Sequence, residues 1–135
     1  MTGPGINFAT FSEKRGKFEV FARVDLMGSD VLVTVWGGTA HVGAVAMAVP
    51  RPSLRDPEER SATASVFTFS GHKEDAVVKA FSEELSGRLG RHVVVAAGIH
   101  WDCLEPGEIS QITEACEALK KRISLELEKA LEKIS

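Results

Sequence analysis

Two short runs constrain this 135-residue chain more than anything else in it. Val31-Leu32-Val33-Thr34-Val35-Trp36 and Val93-Val94-Val95-Ala96-Ala97 are apolar almost throughout. Runs of that length and β-branched content are expected of central strands covered on both faces. Other strands gather around them. Phe18, Val20, Ala22 and Val24 alternate with Lys17, Glu19, Phe21 and Arg23, a period of two in which Phe21 alone breaks the polar face. Ile6 to Phe11 reads as a short strand pairing with the one after Gly16, and Val42 to Val49 as a strand returning after Gly37-Gly38-Thr39. The links are short, so neighbouring strands are expected to be antiparallel hairpins.

Pro50 to Arg60 reads as a loop, because Pro50, Pro52 and Pro57 cannot donate to a ladder and the charges between them favour water. Ala64 to Phe69 resumes as a strand. A helix is predicted from about Lys73 to Leu89, with Val77, Ala80, Phe81, Leu85 and Leu89 as its apolar stripe, Glu74 and Asp75 in its first turn and Gly90 as its cap. A second helix is predicted from about Pro106 to Ile134, with Ile109, Ile112, Cys116, Leu119, Ile123, Leu127 and Ile134 on one face. The fold class is therefore α+β: one domain over residues 1–135, a mainly antiparallel sheet of about six strands, two helices and one strand–helix–strand crossover.

Composition narrows the function. The chain is 44% hydrophobic and 26% charged, as in ordinary globular proteins, and its net charge of −3 offers no broad cationic surface for nucleic acid. Its apolar runs are too short to span a bilayer. The start, Met1-Thr2-Gly3-Pro4-Gly5, does not read as a signal peptide, and with two cysteines, Cys103 and Cys116, the expected setting is the reducing cytoplasm.

Three of the four histidines stand where a strand gives way to a glycine-bearing turn: Gly37-Gly38-Thr39-Ala40-His41-Val42-Gly43, Ser70-Gly71-His72-Lys73 and Gly98-Ile99-His100-Trp101-Asp102. Taken singly, each histidine is expected to do no more than cap its own turn. The crossover makes the Ala64 and Val93 strands parallel, so His72 and His100 fall on one sheet edge, which the Gly37 turn can also reach. Two chemistries fit a shared site. Imidazoles of His41, His72 and His100 could hold a metal at about 2.0–2.1 Å, with Asp102 as orienter or further ligand, though the spacing matches no short zinc motif. Alternatively Gly71-His72-Lys73 opens a helix whose free N–H groups suit a phosphate, Gly37-Gly38 allow close backbone approach, and Lys73, Arg51 and Arg55 add charge. Ser70 and Ser110 lack a nucleophile elbow, and His92 reads as merely exposed.

Taken in order, Gly37-Gly38-Thr39…His41-Val42-Gly43, Phe69-Ser70-Gly71-His72-Lys73 and Ala96-Ala97-Gly98-Ile99-His100 resemble the LpdD-like prenylated-flavin chaperones, a family that includes the small accessory subunit of gallate decarboxylase. The resemblance spans about Val20 to Ile123. It implies an accessory protein that binds prenylated FMN made by a flavin prenyltransferase and assists its delivery or oxidative maturation for a UbiD-type decarboxylase. The positions it carries over are His41, His72, Lys73 and His100 with the turn glycines. The chain departs from some relatives in the single residue between Gly-Gly-Thr and His41, and in Trp101-Asp102 after His100. The resulting expectation is a cytoplasmic homodimer that binds prenylated FMN through Gly37, Gly38, Thr39, His41, Gly71, His72, Lys73 and His100, its ring system against Trp36 or Trp101, with a divalent metal on the three histidines as an option. The alternatives are a small metalloenzyme whose three-histidine site activates water, and a non-catalytic protein-assembly module.

Overall fold

Gly16 and Gly28 adopt positive φ angles of 60° and 61°, a conformation in which any other side chain would be strained. Each closes a hairpin, and together they join β1 (Phe8–Arg15), β2 (Phe18–Met27) and β3 (Asp30–Gly38) into an antiparallel meander. The computed structural model describes residues 8–69 and 74–134. A third hairpin pairs β4 (Ala44–Pro52) with β5 (Arg60–Thr68), followed by α1 (Glu74–Leu89), β6 (Val93–His100) and α2 (Glu108–Ile134). The six described strands form one sheet in the order β1-β2-β3-β6-β4-β5. Among them only the β3–β6 pairing is parallel. The single-domain α+β fold with a mainly antiparallel sheet is as expected.

One pairing differs from the sequence expectation. β4 does not return beside β3, because β6 is inserted between them. Residues 39–43 must therefore cross the end of β6, and Gly98 makes that possible: a Cβ there would collide with the backbone of His41. Gly43 N–H then donates to the Ala97 carbonyl at 2.8 Å, and β4 begins.

Pro50 and Pro52 also lie inside β4, not in the loop that follows it. β6 pairs with β4 only from Ala44 to Ala48, so beyond that point β4 has a hydrogen-bonded neighbour on one side alone. A proline is tolerated where a donor has no partner to reach. The remaining boundary shifts have local causes. β1 extends through Arg15 to the Gly16 turn, β6 continues to His100 beside β3, and Glu105-Pro106-Gly107 precede α2, with Gly107 at φ 91°.

Both helices pack on one face of the sheet, over Val20, Ala22, Val24, Val31, Val33, Val35, Ala44, Ala46, Val93, Val95 and Ala97. α1 is rotated from its predicted stripe: it buries Val78, Phe81, Ser82, Leu85 and Ser86, while Val77 is only partly buried. Small serines on the buried face allow a close approach, and their hydroxyls are satisfied by the carbonyls of Lys79 and Arg91. α2 buries Ala115, Cys116, Leu119, Ile123, Leu127 and Leu131, whereas Ile109 is 57% exposed. Leu32, Trp36, Val45 and Val94, which project from the opposite face, have no described helix over them in the single chain. The two-sided apolar runs are thus covered on one side only.

Candidate functional site

The parallel pairing aligns the ends of β3 and β6, with Gly38 opposite His100. Thr39 N–H donates to the His100 carbonyl at 2.9 Å. The crossing loop then brings the His41 and His100 rings to 6.4 Å between centroids, at 83°. The shared sheet edge does unite these two histidines.

His41 is held at both ring nitrogens. Nδ1 lies 3.0 Å from the Thr39 carbonyl oxygen, and Nε2 lies 2.7 Å from Oε2 of Glu74, a carboxylate only 5% exposed. A carbonyl can only accept, so Nδ1 carries a hydrogen. At Oε2 the His41 imidazole is the group that answers the buried Glu74 carboxylate. Gly43 provides the space, since a Cβ at that position would overlap the Glu74 carboxylate. His100 Nε2 lies 2.9 Å from Oδ1 of Asp102, both residues exposed.

Beside these pairs, a cleft of about 450 Å³ opens between the first turns of α1 and α2 and the end of β6. Val77, Phe81, Ile99, Trp101, Ile112 and Cys116 supply apolar walls, and Glu74, His100, Thr113 and Glu117 supply polar groups. No lysine or arginine is among the described residues that line it. Trp101 is fixed edge-on against Phe18, with centroids 5.0 Å apart, and it fills the space over Gly37 that a side chain would need. The close approach permitted by Gly37 is thus that of Trp101. Gly38, at φ 65°, similarly makes room for the His100 carbonyl. Burial, reinforced by the charge of Glu117, pushes the Cys116 thiol up to about 12, so it stays protonated.

Residues 14–128 match the family model for the prenylated flavin chaperone LpdD-like domain. The chain belongs to this family. No curated protein sequence matches it. Among solved structures it is similar to a chain from a chaperone complex for yeast 20S proteasome assembly, at 15% identity and a TM-score of 0.50, covering 91% of this chain and 98% of that one. At that identity the likeness concerns the fold alone.

In this LpdD-like chain, Gly71, His72 and Lys73, with Ser70, lie outside the described residues. Among the described residues no group of three histidine, cysteine or acidic side chains is arranged to hold a metal. Both nitrogens of His41 face other partners, so a metal would have to displace Thr39 or Glu74 from it. Trp36 stacks on Phe21 at 5.7 Å on the helix-free face, away from the cleft. Arg51 follows the stretch of β4 that ends opposite Val93, placing it and Arg55 toward the far end of the sheet, and Arg51 bonds Thr63. His92 is also at that end, with Nδ1 3.8 Å from Asp30. The Ser110 hydroxyl donates to the Gly107 carbonyl at the start of α2. Cys103 is exposed at φ 55°.

Glu74 is the residue that sequence reasoning missed. It was legible only as an acidic group in a helix's positive first turn, and nothing local signals that a distant loop delivers His41 to it. Thr113 and Glu117 escaped for the same reason, as polar positions flanking an apolar stripe.

Proposed function

We propose that the cleft between α1 and α2 receives the ring system and prenyl substituent of prenylated FMN, and that the protein passes this cofactor to a UbiD-type decarboxylase after its synthesis by a flavin prenyltransferase. The observation carrying this reading is the composition of the cleft in a member of a prenylated flavin chaperone family: apolar and aromatic walls, a few convergent polar groups, and a volume in the range of small-molecule sites. The described lining has no cation, which suits the uncharged part of the molecule and excludes the phosphate from the interior. The phosphate is assigned to the start of α1, a helix N-terminus that favours an anion and that His72 and Lys73 directly precede in the sequence. Bound there, the cofactor would present its ring to Trp101, with Glu74 and His100 in the cleft wall able to hydrogen-bond its polar edge. The group itself would supply the chemistry of decarboxylation once in the decarboxylase. This chain contributes binding, orientation and exclusion of water. A cytoplasmic location fits a partner of cytoplasmic enzymes, and the exposed free thiol of Cys103 fits a reducing compartment.

Co-expression with a flavin prenyltransferase and native mass spectrometry test the reading. The expected result is one prenylated FMN per chain, lost in Ile112→Trp, which fills the cleft. Binding should quench Trp101 and not Trp36, so Trp36→Phe retains the quench and Trp101→Phe abolishes it. Failure of the purified protein to retain the cofactor, or decarboxylase reconstitution that is equally fast without it, would overturn the proposal.

A further inference from the structure

The sequence demands cover on both faces of β3 and β6, and the single chain provides it on one. On the helix-free face, β3, β6 and β4 present Leu32, Thr34, Trp36, Val94, Ala96, Val45, Met47 and Val49, a patch whose charged side chains, Asp30 and Arg51, stand only at its far end. β5 extends it with Phe67, which packs edge-on against Phe69. Met47 and Phe67 are 60% and 67% exposed. Single exposed apolar residues are ordinary, but a contiguous apolar patch across four strands marks an interaction surface.

We propose that this face is where two copies of the chain pack on each other, sheet against sheet. Six strands at about 4.8 Å spacing, each rising about 3.3 Å per residue, make a face on the order of 800 Å². That matches the roughly 800 Å² per partner of a stable interface. The strands β3, β6 and β4 with Phe67 of β5 make up more than half of it, and the other residues on that face of β5, Ser61, Thr63 and Ser65, are small and uncharged. A two-fold axis lying between the sheets sets the same patch against itself, with strands aligned as in other sheet-on-sheet packings. Charge permits this self-association. On β1 and β2 the same face carries Lys14 opposite Glu19 and Arg23 paired with Asp25 at 3.1 Å, two charges of each sign, so the charged edge has no net charge to repel its own copy. The clefts, on the helix side of each sheet, stay open to solvent in such a dimer. The proposal does not depend on what the cleft binds.

Sedimentation of the full chain at about 10 µM and above, where even a micromolar interface is populated, is expected to give a dimer of the 14.6 kDa chain. The double variant Met47→Glu, Phe67→Glu should be monomeric with its helical and strand circular dichroism intact, since both side chains project into solvent in the folded monomer. Leu125→Glu, at an exposed site on α2, should remain dimeric. A monomeric wild type, a dimer that survives the double variant, or one dissociated by Leu125→Glu would each overturn the proposal. So would protection of the Met47 face that appears only when a decarboxylase is added, which would assign the surface to that partner.

Discussion

The two helices meet differently at their two ends. Near Glu74 and Ile109 they stand apart over an apolar cleft. Farther along they are fastened: Ser124 donates to Glu84 at 2.8 Å, and Arg88 bridges Glu84 at 2.9 Å and Glu128 at 3.4 Å. Between these ends Leu85, Leu119 and Ile123 are fully buried. The contrast shows how a small domain keeps a ligand site without losing its core: polar ties and packed leucines hold one end, so the other need not close.

The largest expected effect concerns the floor of the open end. Cys116 lines the cleft but is buried, and its raised pKa leaves roughly a thousandfold less thiolate than an ordinary cysteine has at the same pH. A thiol reagent at neutral pH should therefore modify Cys103 alone, and both cysteines only after unfolding, as counted by mass spectrometry. Fast labelling of Cys116 would mean that the cleft floods with water.

Next in size is Leu85→Ala at the packed end, expected to cost about 2–5 kcal/mol in urea unfolding. Its counterpart Ile109→Ala, at an exposed position on the cleft, should change stability by no more than about 0.5 kcal/mol while weakening ligand binding. Equal costs at the two positions would erase the distinction between core and cleft.

A smaller effect is expected at the polar tie. Burial opposes ionisation of Glu84, but hydrogen bonds from Ser124 and Arg88, with the charges of Arg88 and Lys120, outweigh it and hold the carboxyl below its ordinary value. Such a group stabilises the fold above its unfolded pKa of about 4.3, and that contribution disappears as pH falls through the lower folded value. Thermal melts should drop on acidification through this range, less steeply in Glu84→Gln. Ser124→Ala, which removes a buried donor to a charged group, should cost about 1–2 kcal/mol at pH 7. An identical acid profile for Glu84→Gln would show that the tie contributes nothing.

Much of the fold was legible because strand periodicity and turn glycines are local signals. Gly16 and Gly90 act where they were expected to, Gly90 at φ 68° closing α1. Val78 could not be distinguished from Val77 as the core residue, because the stripe's phase depends on how closely Ser82 and Ser86 let the helix approach the sheet. The prolines of β4 misled for a related reason: whether a missing donor matters depends on which neighbour lies alongside.

The sequence by itself determined the element types, the α+β class, the family, and the placement of His41 and His100 at strand ends. Alternation, apolar runs and glycine turns are properties of adjacent residues, and they survive without knowledge of the partners. Only the tertiary structure decided that β6 separates β3 from β4, that Gly98 lets the His41 loop cross, and that Gly43 leaves space for a carboxylate from α1. Each of these is a contact between segments distant in the chain, set by which backbone can approach which. The His41–Glu74 pair and the cleft beside it exist only once those approaches are made.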